Sequence, residues 1–158
     1  TLSIKPEIKF TNQKIKFGNA FHDFMSRILY VSDYKKEAEI FMKLNFIDLE
    51  VKKQILSVSK QLINHPNLKK HFLSNNSVVC EKEIFVDNGK PIRPDRIVFN
   101  ENKQIVIIDY KTGERSNKDE NQIKKYRQIL SKMGYKVNKT VLIYVSANNN
   151  DIDIVSNK

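Results

Sequence analysis

The sequence contains one cysteine and no long apolar run, which exclude a disulfide-stabilised protein and a protein with membrane-spanning helices. Cys80 is the single cysteine in 158 residues, so no intrachain disulfide can form. Intracellular proteins rarely carry disulfides, and we therefore expect a cytoplasmic location, with Cys80 as a buried structural thiol. A membrane helix needs about 20 consecutive apolar residues, and no stretch approaches that length. We find no secretory signal, internal repeat or low-complexity tract, and we expect no membrane partner.

The length and the first residue bear on domain organisation. A chain of 158 residues with 40% hydrophobic residues suits a single domain with a proper core. The chain begins with Thr1 rather than Met, and we expect it to be a fragment of a longer protein. Short alternation broken by Pro6 predicts an extended lead-in or linker over residues 1–16.

The formal net charge is +10, with a sequence pI near 9.6. A strongly basic chain favours a polyanionic partner, and nucleic acid is the commonest one. The charge by itself is also compatible with a lysine-rich soluble domain that has no such partner.

The first half of the chain predicts helices. Phe21, Phe24 and Ile28 follow Gly18 at helical spacing and form one apolar face. Further helices are predicted after the capping residues Ser32 and Asp33, and after Asp48, the last of them ending before Pro66. A short helical turn through Leu68 and Phe72 completes this half.

The second half changes to a two-residue period and predicts the order β-β-β-α-β. The run IVII within Gln104–Lys111 is apolar on both faces, which indicates a central strand of a covered sheet. The whole chain is therefore predicted to be an α/β protein with a mixed central sheet flanked by helices and a helical N-terminal half. The predicted strands are 78–86, 91–99, 104–111 and 140–146, with a possible edge strand at 151–155, a turn at 87–90, a polar turn at 100–103 and a helix at 118–133.

The hairpin of the second and third strands carries the most specific pattern. Asp95 and Asp109 are equally distant from Asn102 in the predicted turn, so they can lie opposite each other on an antiparallel pair. Lys111 follows Asp109 by two residues and shares its face. Converging carboxylates favour a hard divalent cation, which can activate water, while a lysine can orient that water or stabilise charge on a phosphate. Surface ion pairs of these residues with Lys111, Arg93 or Arg96 are the alternative.

These residues resemble a nuclease signature. Pro94-Asp95 followed by Asp109-Tyr110-Lys111 is similar to the PD-(D/E)XK motif, and the string IIDYKTG resembles its RecB-type branch. The segment GNAFH at 18–22 resembles the G-x-x-x-H motif of that branch, and QIKKY at 122–126 resembles its Q-x-x-x-Y motif. The four motifs occur in the family's order on the expected elements, over about residues 18–145.

The resemblance implies a restriction-endonuclease-like core and a role for each matched residue. It implies Mg²⁺ or Mn²⁺ held by His22, Asp95, Asp109 and the backbone carbonyl of Tyr110, with Lys111 as the catalytic lysine. Gln122 and Tyr126 would position DNA or the catalytic groups. Such enzymes often add an upstream glutamate; Glu81 and Glu83 both qualify by alternation, and we slightly prefer Glu83. Candidate phosphate contacts near the site are Arg93, Arg96, Arg115, Lys118, Lys124 and Lys125, whereas His65 and His71 match no motif.

The implied function is a metal-dependent DNase that acts on single- or double-stranded DNA ends. RecB-type domains are commonly fused to UvrD/Rep-like helicases, so we expect an exonuclease module of a helicase-nuclease in DNA repair and recombination, associated with a bacterial nucleoid. Two other functions stay open: an inactive nuclease fold that only binds DNA, and a stand-alone restriction-type or mobile-element endonuclease. The single cysteine excludes the iron–sulfur variant of the RecB group.

Overall fold

The computed structural model describes residues 6–87, 89–149 and 151–158. Within these residues, no helix combines the length and the apolar content that a bilayer crossing requires. In chain order, the described residues form three α-helices and then five strands, with a fourth α-helix between the third and fourth strands. The elements are α1 (Pro6–Arg27), α2 (Tyr34–Met42), α3 (Leu49–Asn64), β1 (Ser77–Cys80), β2 (Arg96–Phe99), β3 (Gln104–Lys111), α4 (Asn117–Lys132), β4 (Lys136–Val145) and β5 (Ile152–Asn157), with short 3-10 turns at Val31–Asp33, Lys69–Phe72 and Glu101–Lys103.

The five strands form one mixed sheet in the order β1-β2-β3-β4-β5. β3 and β4 are parallel and are connected through α4, whereas every other neighbouring pair is antiparallel. This arrangement confirms the predicted mixed α/β core with its β-β-β-α-β order. It places β3, the strand of Asp109 and Lys111, in the centre of the sheet.

Each face of the sheet is covered by a separate apolar cluster. Val106, Ile108 and Tyr110 of β3 pack on the side of α1, α2 and α3. Ile105 and Ile107 alternate with them and pack against α4 on the other side. Burial on both faces explains the uninterrupted apolar run of β3. By the same alternation, Asp109 and Lys111 belong to the α4 side.

The N-terminal prediction was wrong where the structure describes it. α1 begins at Pro6 rather than near Gly18, so residues 6–16 are helical and not an extended lead-in. Proline lacks an N–H that the first turn of a helix would leave unpaired anyway, and it therefore favours a helix start. Residues 1–5 of the predicted lead-in lie outside the described residues.

The connection between β1 and β2 also differs from its prediction. β1 ends at Cys80 because Glu81 has a left-handed backbone, with φ of 51°. β2 begins only at Arg96. Between β1 and β2, the predicted pairing is reduced to a hydrogen bond from the Glu81 N–H to the Asp95 carbonyl and an isolated antiparallel bridge between Ile84 and Ile92. We call residues 81–95 the β1–β2 loop. Its predicted turn at 87–90 includes Asn88, which lies outside the described residues.

Candidate active site

An open polar cleft of about 790 Å³ lies beside the ends of β2 and β3. α1 contributes to one of its walls, α4 to another, and the β1–β2 loop to a third. Tyr110 is the one predicted site residue whose side chain does not line the cleft, because its ring is buried in the core. The predicted side chains that line it are His22, Glu83, Asp95, Asp109, Lys111, Gln122 and Tyr126.

Asp95 and Asp109 are joined through the backbone of the hairpin. The register pairs Arg96 with Ile108, which brings the two aspartates opposite each other as predicted. The backbone N–H of Asp95 donates to Asp109 Oδ1 at 3.4 Å, and the N–H of Tyr110 donates to Asp95 Oδ2 at 2.6 Å. Both carboxylates are buried, and these backbone hydrogen bonds hold them in place.

His22 reaches this pair of carboxylates from α1. Its Nδ1 lies 3.2 Å from Asp95 Oδ1 and 3.8 Å from Glu81 Oε1. Gly18 lies one turn earlier on α1, where a Cβ atom would stand only 2.8 Å from the Thr112 hydroxyl oxygen. A side chain at position 18 would therefore hold α1 away from the end of β3, and the glycine permits the approach that delivers His22.

Three donor side chains come together closely enough to share one metal ion. Ligand atoms of His22, Glu81 and Asp95 all lie within 4.8 Å of one another. Asp109 lies beside this group, with one oxygen accepting from the Asp95 N–H and the other paired with Lys111. A nitrogen donor together with carboxylate oxygens is a set that Mn²⁺ accepts readily and Mg²⁺ tolerates.

Burial, and then crowding by neighbouring carboxyl groups, disfavours negative charge on the carboxyl groups of this site. Burial, with Asp95 next to it, raises the pKa of Glu81 to about 7. Burial also raises the pKa of Asp95, with Asp109 adding to the effect and His22 opposing it. Burial alone would lower the pKa of His22, but its hydrogen bond to Asp95 and the surrounding carboxylates outweigh that and raise it. A bound cation would relieve this crowding.

The structure favours Glu81 over Glu83 as the upstream glutamate, contrary to our slight preference. Glu83 lines the cleft, but Glu81 is the glutamate grouped with His22 and Asp95. The alternation that placed both on one face ends at Glu81, where the left-handed backbone interrupts the strand. Arg93 holds the second oxygen of Glu81 with an Nε–Oε2 distance of 3.2 Å.

Lys111 is held by three neighbours at the mouth of the cleft. Its Nζ lies 2.8 Å from Asp109 Oδ2, 2.6 Å from Gln122 Oε1 and 3.8 Å from Asp119 Oδ1. Burial would lower the pKa of Lys111, but the Asp109 carboxylate outweighs it and the pKa is raised. Lys111 is therefore a charged hydrogen-bond donor and not a proton acceptor.

Two tyrosines complete the surroundings of the site. Tyr126 of α4 lines the cleft, and burial with the nearby carboxylates raises its pKa to about 12, so its hydroxyl stays protonated. Tyr110 packs its ring edge-on against His22 at a centroid distance of 6.2 Å. Its buried hydroxyl has no hydrogen-bond partner among the described residues.

Comparison with known proteins decides the family. The model of the PD-(D/E)XK nuclease superfamily matches residues 2–149. The chain belongs to this superfamily. Its five-stranded mixed sheet with flanking helices is consistent with a restriction-endonuclease-like fold. PD-(D/E)XK membership indicates a metal-dependent nuclease, for which DNA is the implied substrate.

Two further comparisons add little to the PD-(D/E)XK assignment. The solved structure of a protein called SSO0001 is similar over 92% of this chain and 77% of its own, with 19% identity and a TM-score of 0.35. A TM-score this low supports no argument about fold or function. No curated protein matches the chain.

Divalent metal ions, which PD-(D/E)XK nucleases generally use, fit the donors of this cleft. The fit rests on the three ligand atoms of His22, Glu81 and Asp95 and on the raised pKa values of the two carboxyl groups among them. Of the surface ion pairs that the sequence left open, Asp109–Lys111 is present, but Asp109 is buried, and Asp95 is buried and lies beside His22.

Arg96 is not a phosphate contact, contrary to our prediction. Its side chain is fully buried, and its guanidinium donates to the carbonyls of Ile28, Leu29 and His71. It also stacks on the Phe72 ring at 4.0 Å. Because Ile28 and Leu29 follow the C-terminus of α1, Arg96 ties the helix of His22 to the strand that begins beside Asp95.

The other predicted phosphate contacts stay at the surface. Arg93 lines the cleft while pairing with Glu81. Arg115 is engaged by Asp153 on β5. Lys118, Lys124 and Lys125 on α4 are exposed and remain candidates for contacts with a nucleic-acid backbone.

Sequence reasoning missed Asp119 and Tyr144. Asp119 lies in the first turn of α4, near the Lys111 ammonium, and accepts a hydrogen bond from the Tyr144 hydroxyl at 3.1 Å. The spacing between Asp119 and Gln122 offered a signal, because residues three apart share a helix face. Nothing in the local pattern of β4 distinguishes Tyr144 from an ordinary core residue.

Proposed function

We propose that this chain is a single nuclease domain of RecB type, a Mg²⁺- or Mn²⁺-dependent deoxyribonuclease that hydrolyses phosphodiester bonds. One observation carries the proposal: His22 from α1 lies beside Asp95 in the same cleft as Asp109 and Lys111. The RecB-type pattern requires this convergence across more than 70 residues of sequence. An isolated hairpin motif would not require it.

The metal would be held by His22, Glu81 and Asp95, with Asp109 and the carbonyl of Tyr110 as further ligands. A divalent ion bound there supplies an activated water and neutralises charge on the phosphate. The Asp95 carboxylate is already oriented for this role, because the Tyr110 N–H donates a hydrogen bond to one of its oxygens. Arg93 in turn orients Glu81 through its second oxygen.

Lys111 would stabilise negative charge on the reacting phosphate. Its ammonium has three hydrogens, and the contacts with Asp109 and Gln122 use two of them. The third hydrogen is available to a phosphate oxygen or to the attacking water, within a cleft where such contacts are stronger than in bulk water. Gln122 fixes the ammonium, and Tyr126 offers its protonated hydroxyl to the DNA backbone.

We further propose that the domain is the exonuclease module of a helicase-nuclease that processes DNA ends in repair and recombination. The support is the RecB-type resemblance of the motifs, since such domains are commonly fused to helicases. The sequence of the gene upstream of Thr1 tests this part directly. Helicase motifs there would support it, and their absence would favour a stand-alone endonuclease.

The nuclease activity is tested on linear DNA with purified protein. We expect degradation with Mg²⁺ or Mn²⁺ that stops with EDTA and falls at least a hundredfold in Asp109→Ala and Lys111→Ala, because each removes a group of the reacting centre. Lys132→Ala is the matched control, since Lys132 is exposed in the last turn of α4 and does not line the cleft. Cleavage that resists EDTA, or that persists in both site variants, would refute the proposal. DNA binding without cleavage would identify an inactive module.

A further inference from the structure

The loop between β3 and α4 is tied to β5 by an arginine side chain. Arg115 Nε and one terminal guanidinium nitrogen donate to the two carboxylate oxygens of Asp153, each at 2.5 Å. Two parallel hydrogen bonds fix the orientation of the guanidinium as well as its distance. The loop is therefore attached to the strand at the edge of the sheet.

Asp153 lies in one row with Tyr144 and Lys111 across three neighbouring strands. The register pairs Lys111 of β3 with Tyr144 of β4, and Tyr144 with Asp153 of β5. Paired residues on adjacent strands project to the same face of a sheet, which here is the face covered by α4. The row therefore connects β5 with the lysine of the cleft.

The start of α4 contacts this row. The Tyr144 hydroxyl donates to Asp119 Oδ2 at 3.1 Å, and Asp119 Oδ1 lies 3.8 Å from Lys111 Nζ. The guanidinium carbon of Arg115 lies 5.8 Å from the centre of the Tyr144 ring. Tyr144 is thus contacted both by the loop of Arg115 and by the first turn of α4.

Arg115 directly precedes the residue at which α4 begins. That residue, Ser116, is the N-cap, and its hydroxyl accepts from the Asp119 N–H at 3.4 Å. One turn further along α4, Gln122 Oε1 lies 2.6 Å from Lys111 Nζ. A shift of Arg115 would therefore move the part of the helix that contacts the Lys111 ammonium.

The Arg115–Asp153 pair is open to solvent. Its two side chains are 59% and 52% exposed. Exposed ion pairs typically contribute little to the stability of a whole fold, because water screens them. The effect of this pair is therefore local, on the position of the loop and of the helix start.

We propose that Arg115 and Asp153 are positioning residues for the reaction. They hold the start of α4 so that Asp119 and Gln122 keep the Lys111 ammonium directed at the reacting phosphate. This inference rests on the proposed nuclease function and adds two residues to it. Arg115 then acts through Lys111, and not by the phosphate contact that the sequence predicted.

Cleavage kinetics on linear DNA measure this role. Arg115→Ala and Asp153→Ala should each lower kcat about fivefold and leave KM within about twofold, because Lys111 is displaced while the DNA contacts are retained. The double alanine variant should be no slower than either single variant, because all three lack the same contact. The charge-swapped variant Arg115→Asp/Asp153→Arg should recover most of the wild-type kcat. Asp151→Ala is the matched control, because Asp151 is exposed two residues before Asp153, and should keep the wild-type kcat.

DNA binding in EDTA separates positioning from a phosphate contact. If Arg115 contacted a phosphate, Arg115→Ala would weaken duplex binding and reduce the salt dependence by about one counterion. We expect neither change, and Asp153→Ala, which frees the arginine, should bind no more tightly than Asp151→Ala. Weaker binding by Arg115→Ala together with an unchanged kcat would overturn the inference in favour of the phosphate contact.

A readout without catalysis keeps the two proposals distinguishable. In ¹H–¹⁵N spectra, the side-chain amide signal of Gln122 should shift in Asp153→Ala, stay in place in Asp151→Ala, and return in the charge-swapped variant. An unmoved Gln122 signal, or an unchanged kcat in both alanine variants of an active enzyme, would overturn the positioning role alone. A wild type that cuts no DNA, with a Gln122 signal that shifts as expected, would overturn the nuclease function and leave the tether between β5 and α4.

Discussion

Replacing Arg96 by methionine should destabilise the protein strongly, although Arg96 does not line the cleft. The guanidinium donates to three backbone carbonyls, at 2.8 Å to Ile28, 2.5 Å to Leu29 and 2.8 Å to His71. Methionine keeps the apolar stem of the side chain but ends short of the guanidinium, so it has neither the donors nor the group that packs on Phe72. The substitution therefore removes the guanidinium and retains the packing of the stem.

The magnitude follows from the groups left without partners. Each buried carbonyl that loses its donor costs about 1–3 kcal/mol. The loss is offset in part because the variant no longer buries a charge, which costs several kcal/mol in real proteins. We expect the free energy of unfolding to fall by about 3 kcal/mol, which is a large share of the ~5–15 kcal/mol of a typical domain.

Urea denaturation followed by circular dichroism measures this difference at neutral pH. Arg27→Met is the matched control, because that arginine lies at the end of the same helix and, within the part of the chain that the structure describes, makes one exposed i,i+4 ion pair, to Asp23. Its replacement should cost less than about 0.5 kcal/mol. A loss below 1 kcal/mol for Arg96→Met would refute the reasoning. That result would mean that the cost of burying the charge cancels its hydrogen bonds.

Three further predictions concern pH, metal and the lysine. Burial, with nearby Lys70 and other cations, lowers the pKa of His71 from 6.5 to about 4, so the fold favours the neutral histidine. The contribution of this preference to stability is complete above pH 6.5. The free energy of unfolding should therefore fall by about 2 kcal/mol as the pH drops from 6.5 to 4. The pKa of Glu81 is raised to about 7, and a cation must displace its proton, so the rise in Tm caused by Mn²⁺ should be large at pH 8 and small at pH 6. Asp119→Asn should lower kcat several-fold and leave KM unchanged, because Asp119 lies beside Lys111, the lysine that we propose as catalytic, and would position it rather than bind DNA.

Each of these predictions has its own control. His71→Gln should remove that part of the acid sensitivity which belongs to the histidine, and an unchanged pH profile in this variant would contradict the assignment. Glu81→Gln should abolish the Mn²⁺ shift while Glu83→Gln preserves it; the reverse result would restore Glu83 as the ligand. Tyr144→Phe should reproduce a milder form of Asp119→Asn, and an effect of either variant on KM alone would speak against positioning.

The centre of the site follows from the sequence by simple rules. The midpoint between Asp95 and Asp109 falls in a polar turn, and an antiparallel register then places them opposite each other, as observed. Helical spacing likewise predicts that Gln122 and Tyr126 share a face of α4, and both line the cleft. These relations are local, so periodicity and turn chemistry are enough to specify them.

The remainder depends on contacts that no local pattern encodes. Arg96 follows Asp95 in a motif rich in charge, yet its partners Ile28 and Leu29 are 68 and 67 residues away. A surface position was the natural prediction for an arginine, and only the assembled fold supplies the carbonyls that make its burial possible. The choice between Glu81 and Glu83 depends on one left-handed residue, which the sequence gives no reason to expect outside glycine or asparagine.

The left-handed backbone at Glu81 lowers the stability of the fold but positions a side chain of the candidate site. A non-glycine residue in this conformation costs about 1 kcal/mol, and the same backbone places its carboxylate beside His22 and Asp95. Glycine or asparagine would relieve the strain and remove the carboxylate that we propose as a metal ligand. Variants of this chain selected only for thermal resistance would therefore drift away from glutamate at position 81, whereas variants selected for DNA cleavage would keep it.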